Sequence, residues 1–302
     1  MSDGQTASSR AEYERLRELI ERRLDDYFPT REKTRDTMSD ETSSDATLTD
    51  AMRYSLMAGG KRIRPALTLL FSIACDTGTP TSAVLDAACG IECLHTYSLI
   101  HDDLPQMDND DTRRGKPSNH IIFGEWLAIL AGDALQAKAF GLIAAAPLPP
   151  ERVVKMLTEL ALAAGERGIC GGQTLDIYAE KRGTNEAGLY EIHRQKTSSL
   201  IEAAAKIGVH AAGGTDAQLR AAEEYAGAVG MAFQIRDDTL DAVADSKIPG
   251  KTTFFTLFGQ RRCEELIAEE TKRAKAALRA AFEPAKRAPL EWLADELSKR
   301  ET

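Results

Sequence analysis

Apolar residues recur at intervals of three and four along nearly the whole chain, and alternating β-branched runs between turn residues are hardly seen. That periodicity fits amphipathic helices and leaves little room for a sheet. Tyr13, Leu16, Ile20, Leu24 and Tyr27 form one such stripe, behind Ser9 and Glu12 at capping-box spacing. Further helices are predicted over about 47–58, 64–75, 81–107, 120–145, 151–169, 186–212, 215–244, 251–282 and 287–300, punctuated by Gly, Pro, Thr or Asn. The polar stretch 29–50, with Pro29 and only acids after Arg35, reads as a solvated loop or a weak helix entry. No fixed-period repeat or low-complexity linker is visible, so residues 1–302 are expected to form one all-α domain, with 1–10 as a flexible tail.

Charge narrows the class of partner. With 38 Lys+Arg against 47 Asp+Glu the net charge is −9, which disfavours nucleic acid and anionic membrane surfaces. No uncharged apolar run reaches the ~18 residues of a membrane span. The N-terminus shows no basic segment leading into an apolar one, so a cytoplasmic protein is expected. Five cysteines, an odd number, suit a reducing compartment rather than a disulfide framework. Cys89 and Cys93, one turn apart, read as buried small hydrophobes.

Two of the predicted helices carry apolar stripes that end in carboxylates. One runs Val84, Ala88, Ile91, His95, Ser98, Asp102, which places His95 and Asp102 on one face about 10 Å apart. The other starts at Thr215, with Gln218 at capping-box spacing, and runs Leu219, Ala222, Ala226, Val229, Phe233, Asp237, Asp241. Asp102, Asp103, Asp108, Asp110 and Asp111 crowd one short segment. Asp102 and Asp108, six apart, do not share a helical face; Pro105 is expected to end or bend the helix and return Asp108 toward Asp102. Buried carboxylates without cations are costly, and hard oxygen donors with no His or Cys among them suit Mg²⁺ together with substrate phosphates. Either motif alone would sooner be read as an exposed acidic loop capped by Arg113 and Arg114 than as a metal site. The segment 102–113 lacks the glycine that an EF-hand needs.

Bases to hold phosphates stand in GGKRIRP (59–65), in RRGK (113–116) and in the pairs Lys196-Thr197 and Lys251-Thr252. Gly250-Lys251-Thr252 is not a P-loop, since no strand precedes it and the upstream glycine is missing. Each basic element is weak alone. With two inward acidic clusters they describe a site for diphosphates and Mg²⁺.

The blocks GGKRIRP (59–65), ECLHTYSLIHDDLPQMDNDDTRRGKPSNH (92–120), LAGDAL (130–135), GGQTLDI (171–177), HRQKT (193–197) and FQIRDDTLD (233–241) resemble, in order, those of the short-chain trans-isoprenyl diphosphate synthases, or polyprenyl synthetases. The resemblance spans roughly 59–259. It implies a single all-α isoprenoid synthase bundle around a central cavity, a homodimer, and condensation of isopentenyl diphosphate with allylic diphosphates. By the same resemblance Asp102, Asp108 and Asp237 would bind three Mg²⁺, with Asp103, Asp238 and Asp241 supporting them. Arg113, Lys196, Thr197, Gln234 and Lys251 would hold the allylic diphosphate, and Lys61, Arg64, His95 and Arg114 isopentenyl diphosphate. Gln173 and Asp176 fall on the cavity wall.

Tyr97 and Ser98 match positions that set product length in related enzymes. An aromatic at Tyr97 and the two extra residues in DDLPQMD look like bacterial farnesyl diphosphate synthases, so a C15 product of the (2E,6E)-farnesyl type is expected. DNDD and PSNH look like geranylgeranyl diphosphate synthases, which keeps C20 as the alternative. The segment after DDTLD is shorter than in many relatives and retains only Gly250-Lys251. A non-catalytic partner subunit of a related synthase, some of which carry Cys-x-x-x-Cys elements, would not need both aspartate motifs. A terpene cyclase would be expected to mix Asn, Ser or Thr and Glu in the second motif, where DDTLD stands.

Overall fold

The computed structural model describes residues 2–29, 44–75, 80–242 and 252–300. Among them are thirteen α-helices, a five-residue π-helical turn and one two-residue hairpin. In chain order the helices are α1 (Asp3–Tyr27), α2 (Ser44–Leu56), α3 (Ile63–Cys75), α4 (Ser82–Asp102), α5 (Asn119–Phe123), α6 (Glu125–Ala144), α7 (Pro150–Ala164), α8 (Ile169–Arg182), α9 (Glu186–His193), α10 (Ser199–Ala212), α11 (Asp216–Leu240), α12 (Phe254–Ala281) and α13 (Pro284–Lys299). The hairpin pairs β1 (Thr112–Arg113) with β2 (Lys116–Pro117).

Helix α4 is the axis of the bundle. It packs on α6, α3 and α10, and its buried residues run from Ala83 to Ile100 on nearly every side. The large core draws on α1–α4, α6, α7 and α10–α13, while a smaller cluster around Ile235, Phe254 and Cys263 joins α11 to α12. Cys89 and Cys93 lie in the large core, fully buried, and burial pushes both thiols up. They present nothing to a partner or a metal.

Several expectations from the sequence are corrected. The first residues are not a tail. Ser2 caps α1 by accepting from the Gln5 N–H at 3.3 Å, and Ser9 is buried inside that helix. A helix begins at Ser44, about three residues before its predicted start and within the stretch read as a loop or weak helix entry; residues 30–43 lie outside the described residues. Helix α8 falls largely in a gap between predicted helices, because its two glycines are poor helix formers. The predicted 120–145 helix breaks at Gly124, whose φ of +82° a side chain would resist. Finally, α4 and α6 are both long and apolar enough to cross a membrane, since scattered polar residues do not cancel their mean hydropathy. The α4 window is 78% buried inside the protein and the α6 window 44%.

Candidate active site

The first aspartate motif is assembled by the chain reversal that Pro105 suggested. Helix α4 ends at Asp102, and the chain turns back until the Asp108 N–H donates to the Asp102 carbonyl at 2.8 Å. The Met107 and Asn109 N–H groups share the Leu104 carbonyl, at 2.9 and 3.1 Å, with Asn109 at φ +53°. Asp102 and Asp108 are thus neighbours. Dehydration raises the Asp102 carboxyl to about 7; Asp108 adds to the rise and Lys196 opposes it. Asp103 turns the other way. It is 2% exposed and accepts from Arg113 Nε at 2.8 Å, while Arg113 also reaches Asp110 at 2.9 Å. Asp103 therefore anchors the loop, and Arg113, expected on the allylic diphosphate, faces Asp103 and Asp110.

Opposite Asp102 the chain makes the π turn Arg194–Ser198, which presents Lys196 and Thr197. Such wide turns recur at functional sites. The turn lies against α8 at Gly172, where a Cβ would come within 2.2 Å of the Lys196 backbone nitrogen. That approach explains the second glycine of GGQTLDI. Lys196 Nζ donates to Asp176 at 2.6 Å. Burial opposes its charge, but Asp176, Asp102 and Asp108 outweigh burial and hold the ammonium above its ordinary pKa. Gln173 Nε2 donates to Asp108 at 3.1 Å, and its Oε1 is buried with no partner. The Thr197 hydroxyl donates to Gln234 Oε1 at 3.0 Å, tying the turn to α11.

The three carboxylates of the second motif differ from one another. Dehydration raises Asp237 to about 6; Asp241 and Asp238 add to the rise, and Arg300 and Lys61 oppose it. Arg300, from the end of the chain, stands 2.7 Å from Asp237 Oδ1 and lies over the Phe233 ring. Asp238 is buried and committed to structure. Its Oδ2 accepts from the Phe254 N–H at 2.8 Å at the start of α12, and its Oδ1 from Gln234 at 3.2 Å. Asp241 caps α11, its N–H donating to the Asp237 carbonyl at 2.9 Å. Arg300 has no motif around it and escaped the sequence reading.

Beside Asp237 lies a basic cluster. Arg64 is enclosed, its Nη1 3.4 Å from His95 Nε2 and its Nε buried without a partner. Dehydration lowers Arg64 to about 10 although Glu92 and Asp237 favour its charge. His95 is held well below its ordinary value by burial and then by Arg64 and Arg114, so the ring is neutral at pH 7. Arg114, at φ +55° in the hairpin, donates to the Gly59 carbonyl. Burial and Arg300 lower Lys61, while Asp237 raises it. The expected residues Arg64, His95 and Arg114 are thus brought together, and Lys61 and Arg64 both act on Asp237. Lys251 lies outside the described residues. A cavity of about 470 Å³ bordered by Arg236, Lys272, Lys275 and Arg279 contains neither aspartate motif, and two of its bases already pair with Asp295 and Glu291.

On a helix that turns about 100° per residue, Ser98 sits one turn beneath Asp102 and Tyr97 stands about 140° away. Ser98 is buried and donates to the His95 carbonyl at 2.9 Å. Tyr97 points elsewhere, its hydroxyl 3.5 Å from Cys170 Sγ and its ring edge-on to His101.

Among the described residues no group of three or more His, Cys, Asp or Glu closes on one point. Each motif offers an incomplete set of hard oxygens, among them Asp102 and Asp237, whose carboxyls dehydration raises. That donor set fits Mg²⁺ completed by water and phosphate oxygens.

Comparison with known proteins agrees with this geometry. The sequence pattern of the family described as "Polyprenyl synthetase" matches residues 45–280. Geranylgeranyl pyrophosphate synthase 3, chloroplastic, of Arabidopsis thaliana is 41% identical over 271 residues, covering 84% of this chain and 74% of that protein. The heterodimeric geranylgeranyl pyrophosphate synthase large subunit 1 of the same plant is 40% identical over 302 residues, covering 94% and 77%. Among solved structures, an FPP/GFPP synthase from Zymomonas mobilis superposes with TM-score 0.85 at 31% identity, covering 96% of this chain and 98% of that one. A geranyltransferase from Legionella pneumophila gives 0.81 at 36%, covering 97% and 99%. With the helical bundle, the paired aspartate motifs and this match in hand, the chain belongs to the polyprenyl synthetase family of prenyltransferases.

Proposed function

We propose that this protein joins isopentenyl diphosphate to allylic diphosphates in successive head-to-tail steps that end at C20 geranylgeranyl diphosphate. The observation that carries the chain length is the set of relatives at 40–42% identity, which are named geranylgeranyl pyrophosphate synthases. The C15 expectation gives way to them. Its main support, Tyr97 as the floor, weakens because the small Ser98 stands beneath Asp102 while Tyr97 is drawn aside to Cys170. The solved neighbours named for farnesyl products, at 31–33% identity, keep C15 as the second reading.

The residues divide the work by charge. Three Mg²⁺ held by Asp102, Asp108 and Asp237 would neutralise the departing diphosphate. Lys196, kept cationic by its acidic neighbours, faces the same diphosphate, with Thr197 and Gln234 beside it. Lys61, Arg64 and Arg114 hold isopentenyl diphosphate. His95, neutral, adds a hydrogen bond there without adding charge. As the allylic C1–O bond breaks, the isopentenyl C4 attacks C1. A proton then leaves C2 of the isopentenyl unit for the released diphosphate. The apolar wall of α4 keeps water from the cation.

A second copy of this chain completes the proposal. Helix α6 and its approach expose Ile121, Ile122, Trp126, Ile129 and Leu130, an apolar face suited to a homodimer.

The decisive experiment incubates the purified protein with Mg²⁺, isopentenyl diphosphate and dimethylallyl, geranyl or farnesyl diphosphate, and sizes the products. C20 from all three starters supports the reading; a stop at C15 selects the second reading, and no turnover from any starter refutes both. Ser98→Phe should shift the product from C20 to C15 or shorter in the same assay.

A further inference from the structure

The arginine between Lys61 and Arg64 does not face the site. Arg62 is 3% exposed and points back into the bundle, where its guanidinium divides among three elements. Nε donates to Glu21 of α1 at 2.7 Å, Nη2 to the Leu56 carbonyl at the end of α2 at 2.7 Å, and Nη1 to Glu92 of α4. Its backbone sits at φ +52°, a left-handed conformation that a residue with a Cβ adopts only when its surroundings impose it. Gly59 and Gly60, at +91° and +128°, turn the chain into this position.

Glu92 is the other half of the device. It is 1% exposed and lies one turn before His95 on α4. The oxygen that accepts from Arg62 also lies 4.0 Å from Arg114 Nη2. Arg114 in turn donates to the Gly59 carbonyl, and a Cβ on Gly60 would meet its guanidinium at 3.0 Å. One buried carboxylate thus links the 59–64 loop, the 112–117 hairpin and the face of α4 that carries His95. Net stability is a poor reason for such a pair, because a buried ion pair is often no better than an apolar replacement. What it does supply is a fixed direction for flexible bases that would otherwise repel one another.

We infer that Arg62 and Glu92 are positioning residues for the isopentenyl diphosphate site, holding Lys61, Arg64 and Arg114 in register without touching the substrate. This rests on the function proposed above, which assigns those three bases and His95 to that diphosphate.

The test is the split of kinetic constants in full-length protein. Glu92→Gln should raise KM for isopentenyl diphosphate about tenfold, the scale seen when an outer partner of a binding group is lost. KM for the allylic substrate and kcat at saturating isopentenyl diphosphate should stay within about twofold. Arg62→Lys, which cannot reach three directions, should give the same split. Glu92→Asp, which keeps the charge, should recover part of the affinity and serves as the probe if Glu92→Gln does not fold. Glu21→Gln, removing the partner at the surface, should change no constant by more than about twofold.

An isopentenyl KM that is unchanged or lower in Glu92→Gln overturns the inference. So does a parallel loss in both KM values and kcat. If the wild type makes no prenyl product, the functional reading fails separately. Calorimetric titration with inorganic diphosphate then decides the positioning role, which requires about tenfold weaker binding in Glu92→Gln and falls if the affinities are equal.

Discussion

The two aspartate motifs end two long helices with nearly the same residues, yet opposite means hold them. The first is held mostly from within its own segment: Pro105 turns the chain, the Asp108 N–H closes on the Asp102 carbonyl, and Arg113 clamps Asp103, with Gln173 reaching Asp108 from α8. The second is held by distant parts of the chain, through Arg300 on Asp237 and the Phe254 N–H on Asp238. A carboxylate's job in this protein is therefore decided by what reaches it. Asp102 and Asp237 are raised by dehydration with Lys196 and Arg300 opposing the rise, while Asp103 and Asp238 accept fixed hydrogen bonds and serve as fasteners.

That contrast can be broken by measurement. Asp102→Ala should cost the most, on the order of 1,000-fold in kcat, because it removes charge placement at the leaving group. A loss under tenfold would mean that the first motif is an acidic loop. Gly172→Ala should follow at about 100-fold in kcat/KM, since the new Cβ would displace the Lys196 backbone by a sizeable fraction of an ångström. Near-native activity there would show that the π turn tolerates movement. Asp238→Ala should act mainly on stability, lowering unfolding free energy by about 1–2 kcal/mol through the lost cap. Denaturant melts and kcat measured together separate that fastening role from catalysis, and a kcat loss rivalling that of Asp102→Ala would contradict it. Smallest of all, Arg300→Ala should lower the Mg²⁺ concentration for half-maximal activity about two- to fivefold, as expected for removing a partly exposed ion pair that competes for Asp237. A raised Mg²⁺ requirement would show that Arg300 assists the cation instead.

Legibility in the sequence follows the same division. The turn at Pro105, the stripes leading to Asp102 and Asp237, and the Thr215–Gln218 capping box are local patterns, and the structure contains each of them. The π turn is not local. It depends on Gly172 admitting the Lys196 backbone, a contact that no periodicity announces. Arg300 on Asp237 and Asp238 on Phe254 likewise join residues far apart in sequence. Helix α1 begins early because Ser2 caps a polar stretch with no apolar rhythm to reveal it. The chain-length role expected of Tyr97 depends on side-chain direction, which the sequence does not show, and its hydroxyl is turned to Cys170.

The hairpin 112–117 has one more consequence. Arg113 closes toward Asp103 and Asp110 of the first aspartate motif and Arg114 toward the Gly59–Gly60 loop, so in the function proposed above adjacent residues of one small ribbon would brace two different substrate subsites. Ligand that orders one end of the ribbon lowers the entropic cost of ordering the other. Linkage makes that effect mutual: each substrate should tighten the other by the same factor, so order of addition would change the path to the ternary complex and leave its free energy untouched.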